Sequence, residues 1–147
     1  MARREGITAM AKWLFKEEPT HYNFADLERD GTTTWDGVAN ALALQNLRKV
    51  RLGDRVFFYH TGKEKAVVGE MVVVAGPAQK AGNKDEEQVA VTVQAVRRLQ
   101  HPVSLSRIKS ESALAGWELV RLPRLSVMPV TDAQWRRVEE LSKTPGG

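Results

Sequence analysis

The sequence predicts an α+β fold, a small mixed barrel of about five or six strands with helices placed mainly early and late. Three observations predict it. β-Branched stretches cluster in the middle of the chain, at Val67–Ala75 and Val89–Leu99. Helix signals fall before and after that cluster, so the regular strand–helix–strand alternation of a doubly wound sheet never develops. Finally, 147 residues with 42% hydrophobic side chains and no cysteine suit one domain that buries its core without disulfide staples.

The elements follow in order. Residues 1–10 read as a poorly ordered N-terminal extension, 11–143 as the folded domain and 144–147 as a C-terminal tail. Trp13-Leu14-Phe15, bounded by Lys12 and Lys16, is a buried strand that Pro19 ends. Asn23 caps a short helix carrying Phe24 and Leu27, which Asp30-Gly31 stops. Thr32 to Val38 is turn chemistry around one large aromatic, Trp35. Asn40 to Lys49 is rich in helix formers and closes on cations that suit a helix C-terminus. Leu52-Gly53-Asp54 is a tight turn, Arg55–His60 a strand, and Thr61–Lys65 a polar, basic loop. Between the two long β-branched runs, Gly76–Gln88 is a charged and mobile hairpin connection. Val89, Val91 and Val93 alternate, as in a strand with one buried face. Ser104–Lys109 and Ser112–Gly116 suggest helical turns, and Leu125–Val130 a strand that stops at Pro129. Thr131 and Gln134 form a capping box for a last helix, with Trp135, Val138 and Leu141 on one face.

Composition narrows the function. Without cysteine there is no thiol nucleophile and no thiolate zinc site, and His21, His60 and His101 stand too far apart for a local metal signature. No metal and no cofactor is expected. The longest apolar run falls far short of the ~18 residues a membrane helix needs, and no apolar signal-peptide core follows the basic first residues. A soluble, cytoplasmic chain with no membrane partner is the expectation. A net charge of +4 and a pI near 9.6 permit an anionic partner without demanding one. Glycine-rich phosphate loops, the nucleophile elbow and the zinc-protease helix motif are all missing.

Two constellations can carry chemistry. Lys16-Glu17-Glu18, directly after a strand, could supply an acid/base pair, although a solvated strand end explains it more simply. The aromatics are more informative. Phe57, Phe58, Tyr59 and His60 alternate across a strand, so a ring on Tyr59 and one on Trp35 could sandwich a flat base while Asn40 and His60 hydrogen-bond its edge. Such stacking contributes roughly 1–3 kcal/mol, comparable with the cost of unstacking a base. Packing of a loop onto the barrel is the alternative for Trp35, and Trp13, Trp117 and Trp135 read as core.

Four ordered motifs then carry a family resemblance. Lys12-Trp13-Leu14-Phe15-Lys16-Glu17-Glu18-Pro19 with Tyr22, Trp35-Asp36-Gly37-Val38-Ala39-Asn40, Gly53–His60, and Arg124–Val130 with Trp135 together resemble the EVE domain, from about Ala11 to Leu141. The resemblance implies a PUA-like fold, a mixed β pseudo-barrel with surrounding helices related to the YTH readers of methylated adenine. It also implies a non-catalytic binder of nucleic acid, modified DNA or RNA, that captures a flipped base of 5-substituted cytosine type in an aromatic pocket. By position, Trp35, Asn40, Tyr59, His60 and the Leu125-Ser126 backbone would line that pocket, with Lys16 and Glu17 at its rim.

The chain departs from the family pattern at three places. Glu17 stands where Ser is common, and Ala39 and Leu44 stand where arginines are common. Losing guanidiniums weakens phosphate contacts. Either Arg48, Arg51, Lys63 and Lys65 hold the phosphates, or the ligand is smaller, such as a modified nucleoside. Two other functions stand beside the reader: an ASCH-like hydrolase of a modified nucleoside using Lys16 with Glu17 or Glu18, and a protein-interaction domain with a vestigial pocket.

Overall fold

A computed structural model describes residues 10–79 and 89–146, so the expectations for residues 1–9 and for most of the charged connection lie outside the described residues. Six strands form one sheet: β1 (Lys12–Glu17), β2 (Thr32–Trp35), β3 (Arg55–His60), β4 (Ala66–Gln79), β5 (Val89–Ser104) and β6 (Val127–Val130), in the order β2-β5-β4-β3-β1-β6. β1 runs parallel to β3, and every other pairing is antiparallel. The helices are α1 (Phe24–Asp30), α2 (Ala41–Lys49), α3 (Leu105–Lys109), α4 (Glu118–Arg121) and α5 (Asp132–Leu141), with a 3₁₀ turn at Ser112–Leu114. This is the α+β, PUA-like architecture that the motifs imply.

The sheet is coiled into a pseudo-barrel. Three strands separate β1 from β2, and in a flat sheet four spacings of about 4.8 Å would hold them ~19 Å apart. Yet the rings of Phe15 on β1 and Trp35 on β2 lie 5.3 Å apart. Register shifts at Val67/Gly69, Glu70/Met71, Val73/Ala75 and Ala75/Ala78 bend β4 and β5, the two long strands that make the turn. The remaining gap is covered by α2, which packs on both β5 and β6 and donates from Asn46 Nδ2 to the Val127 carbonyl at 2.8 Å. On the opposite face of the sheet α5 docks through Trp135, stacked on Phe57 at 3.6 Å with the Arg55 guanidinium 4.8 Å from the centre of its ring. Buried Glu70 ties Arg55 (2.7 Å) to Arg97 (3.0 Å) beneath that helix.

The caps form as read. Asn23 and Asp26 make a reciprocal box before α1, and Thr131 and Gln134 make another before α5. Four local readings are corrected. Thr32–Trp35 is an edge strand, because Thr32 to Trp35 pair with Gln94 to Val91 of β5. Gly76–Gln79 continues β4 instead of opening the connection. β5 runs on through Pro102 to Ser104. Pro129 lies inside β6, which an edge strand tolerates since it needs no ladder donor on its free side.

Candidate functional site

Parallel pairing sets the C-terminal ends of β1 and β3 side by side, with Lys16 opposite Tyr59 and Glu17 opposite His60. Alternation then sorts the side chains. Phe15 and Phe58 point into the barrel, where Phe58 meets Trp35 edge-on at 5.5 Å and Phe24 at 5.4 Å. Lys16 and Tyr59 point the other way, with the Lys16 ammonium 5.5 Å from the centre of the Tyr59 ring. The expected sandwich of Trp35 and Tyr59 is therefore not formed. The two rings leave the sheet on opposite faces, and both are buried, at 6% and 2% exposure. Trp35 reads as exposed only if Thr32–Val38 is a turn; strand pairing places it in the core.

His60 is also committed. Its Nε2 accepts from the Phe24 N–H at 3.1 Å, which leaves the proton on Nδ1, and Nδ1 donates to Glu64 at 2.7 Å. Neither nitrogen is left to read a base edge, which corrects that expectation. Lys16, Glu17 and Glu18 diverge as well. Lys16 donates to the Pro123 carbonyl (2.9 Å), Glu17 meets His21 (2.7 Å), and Glu18 accepts from Thr20 (3.2 Å) and Thr61 (3.1 Å). Burial lowers the Lys16 pKa and pushes the Tyr59 phenol up to about 12. The three side chains do not converge as an acid/base set.

What the fold does bring together is Asn40 with the segment that leads into β6. A cavity of about 340 Å³ opens between the start of α2 and residues 121–125, lined by Asn40, Leu42, Arg121, Pro123, Arg124 and Leu125. Its size lies within the usual range of small-ligand sites. Asn40 caps α2, its Oδ1 accepting from Ala43 N–H at 3.0 Å, so its Nδ2 amide is the group free for a ligand. Lys16 borders this wall through its bond to Pro123, and the Lys16 N–H donates to the Ser126 carbonyl at 2.9 Å. The Leu125 N–H goes to the Leu122 carbonyl (3.0 Å), so those two backbone groups serve the fold. The floor is apolar and the rim cationic. Arg121 is steered by Nε donation to the Gly116 carbonyl (2.7 Å), and Arg124 takes no partner among the described residues.

Arg121 and Arg124 escaped the sequence reading. The available signal was their position just before Leu125-Ser126, a pair already singled out. The cations that were named divide into two groups. Arg48 and Arg51 lie before β3 and Lys63 and Lys65 after it, so the length of that strand, about 20 Å, separates them. Arg48 and Arg51 stand at the end of α2 away from Asn40.

Comparison with known proteins agrees with this architecture. Human thymocyte nuclear protein 1 is 28% identical over 89% of this chain and 73% of its own length. Rpa0253 from Rhodopseudomonas palustris superimposes with a TM-score of 0.86 at 32% identity, over 91% of this chain and 94% of that one. Human THYN1 protein, in a crystal structure in complex with 5-methylcytosine containing DNA, superimposes with a TM-score of 0.83 at 27% identity, over 91% and 98%. An ASCH protein from Zymomonas mobilis, at 13% identity and a TM-score of 0.56, shares the fold alone. Residues 11–141 match the EVE domain, and the chain belongs to that family.

Proposed function

We propose that this protein is a non-catalytic reader that binds nucleic acid and takes up a modified base, of 5-substituted cytosine type, at the Asn40 cavity. The observation that carries the reading is that cavity: an apolar floor, one uncommitted amide and two guanidiniums at the mouth, in a chain whose relative was crystallised on 5-methylcytosine DNA. A cytosine edge offers two acceptors, which suits a donating Asn40 Nδ2. Leu42 and Leu125 offer apolar contact, Lys16 links the Pro123 wall to the Tyr59 ring, and Arg121 and Arg124 face the phosphates that flank an extruded base. Glu17, held by His21, sits at the outer rim, and Trp35 supports the site from the core, five residues before Asn40.

Asn40→Ser is the discriminating variant, because serine keeps the helix cap and removes the amide donor. Oligonucleotides with and without 5-methylcytosine, as DNA and as RNA, are titrated against wild type and variant by fluorescence anisotropy. The modified strand is expected to bind more tightly, and Asn40→Ser to lose roughly 5–10-fold, the worth of about one hydrogen bond. Equal affinity for plain and modified strands, with no effect of the variant, overturns the reading. Conversion of an acylated cytidine, abolished by Lys16→Ala, would replace it with the hydrolase.

A further inference from the structure

Beyond the cavity, a second groove of about 380 Å³ lies at the far end of β3, lined by Lys63, Glu64, Lys65, Leu105, Ser106 and Lys109. Its three lysines come from two places in the sequence, the β3–β4 turn and helix α3, and all three are exposed. None of their ammonium groups meets a carboxylate or carbonyl among the described residues. By contrast, Lys12, Arg29, Arg55, Arg97, Arg98 and Arg137 all hold acidic partners. The groove's one carboxylate, Glu64, is drawn to His60 Nδ1 at 2.7 Å. Its positive charge is therefore left without an acidic counterpart among the described residues.

The backbone adds an independent observation. Lys65 has φ +46°, and it is the one non-glycine residue with positive φ among the described residues. A glycine or asparagine would adopt that conformation more readily. The strained turn is nonetheless held firmly, with the Lys65 carbonyl accepting from the Leu105 N–H at 2.8 Å and Thr61 bound to Glu17 (3.0 Å) and Glu18 (3.1 Å). Those bonds tie the lysine turn to the same end of β1 that carries Lys16, so groove and cavity sit at one end of the sheet. Strain retained at a rigid, unpaired cationic position is characteristic of a surface shaped for a ligand.

We infer that the Lys63–Lys65–Lys109 groove is a second phosphate-binding surface, gripping the backbone of the nucleic acid whose base enters the Asn40 cavity. This rests on the reader assignment above and extends it. It locates charge that the Ala39 and Leu44 departures remove, and it adds Lys109, which no local reading connects to Lys63. The strand passes along the β1 and β3 ends from the arginine mouth to the lysine groove.

The test is the salt dependence of binding. Full-length wild type is compared with Lys63→Gln/Lys65→Asn/Lys109→Gln, asparagine being chosen because it tolerates the Lys65 backbone, and with Arg48→Gln/Arg51→Gln from the opposite end of β3. The probe is a duplex carrying one 5-methylcytosine, titrated over a series of KCl concentrations, with thermal melts to verify folding. Three lost contacts are expected to flatten the slope of log K against log[salt] by about 2–3, and the arginine pair to leave it unchanged. Wild-type binding with an unaltered slope in the lysine variant overturns the groove while sparing the reader. Equal flattening by both variants overturns the groove as a specific surface. Absence of wild-type binding overturns the reader and the groove together.

Discussion

The Trp13 indole N–H donates to Asp54 Oδ2 at 2.9 Å, inside the barrel end where β1 and β3 begin. Asp54 is 3% exposed, and its carboxylate also accepts from the Ala11 N–H (3.1 Å) and the Arg51 N–H (2.9 Å). One buried side chain thus joins the start of β1, the turn after α2 and the start of β3. A buried carboxylate is tolerated only when its oxygens are satisfied, and here three donors converge on them.

Asp54→Ala leaves the buried Trp13 indole N–H, and the partly buried bonds of the Ala11 and Arg51 N–H groups, without their carboxylate. The expected loss is roughly 3–5 kcal/mol of unfolding free energy, read from the urea midpoint at unchanged slope. A shift of only a few tenths would show that water replaces the carboxylate.

Trp13→Phe and Trp135→Phe separate a hydrogen bond from ring packing. Both indoles are buried, but the Trp135 Nε1 has no partner among the described residues. Each variant loses the same atoms, so Trp13→Phe is expected to cost about 1–3 kcal/mol more, the penalty of under-satisfying Asp54. Matched denaturation curves for the two variants would refute the assignment.

Gly69→Ala tests the bulged stretch of β4. A Cβ there would stand 2.5 Å from the Phe24 ring, which is fully buried and packed edge-on against Phe58. Overpacking of about 1–3 kcal/mol is expected, with partial recovery in Gly69→Ala/Phe24→Leu as the smaller side chain makes room. A double-mutant cycle showing simple additivity would count against direct contact.

Alkaline titration reports the burial of Tyr59. Burial pushes its phenol from 10.0 to about 12, and burial is also the largest cause raising Tyr22, the only other tyrosine. The unfolded chain ionises its phenols near 10 while the fold keeps Tyr59 protonated, so stability is intact below pH 10 and falls between about 10 and 12. Lys16 acts with the opposite sign. Its burial disfavours the cation, and that penalty is relieved as pH rises toward 10.5. Near-ultraviolet phenolate absorbance is therefore expected to hold back one tyrosine's share of its rise until near pH 12; a full two-tyrosine rise at pH 10 would contradict the buried ring.

Much of the fold was legible because its signals are local. The Asn23–Asp26 and Thr131–Gln134 boxes depend on residues three positions apart, and the buried Val89, Val91 and Val93 repeat every second position. The four ordered motifs carry the family, and Lys16 and Asn40 stand within two of them. The rest depended on partners distant in sequence. Trp35 is core because its strand pairs with Val91, and a short threonine-rich run carries no sign of that partner. His60 is spent because α1 brings the Phe24 N–H to it across 36 positions. Arg121 and Arg124 reach Asn40, and Lys109 reaches Lys63, only after the sheet coils. Capping and periodicity are decided within one or two turns of chain, so the sequence by itself determined the elements and the family. Which faces are covered, and which distant charges share a groove, is set by strand order and curvature, and only the tertiary structure decided those.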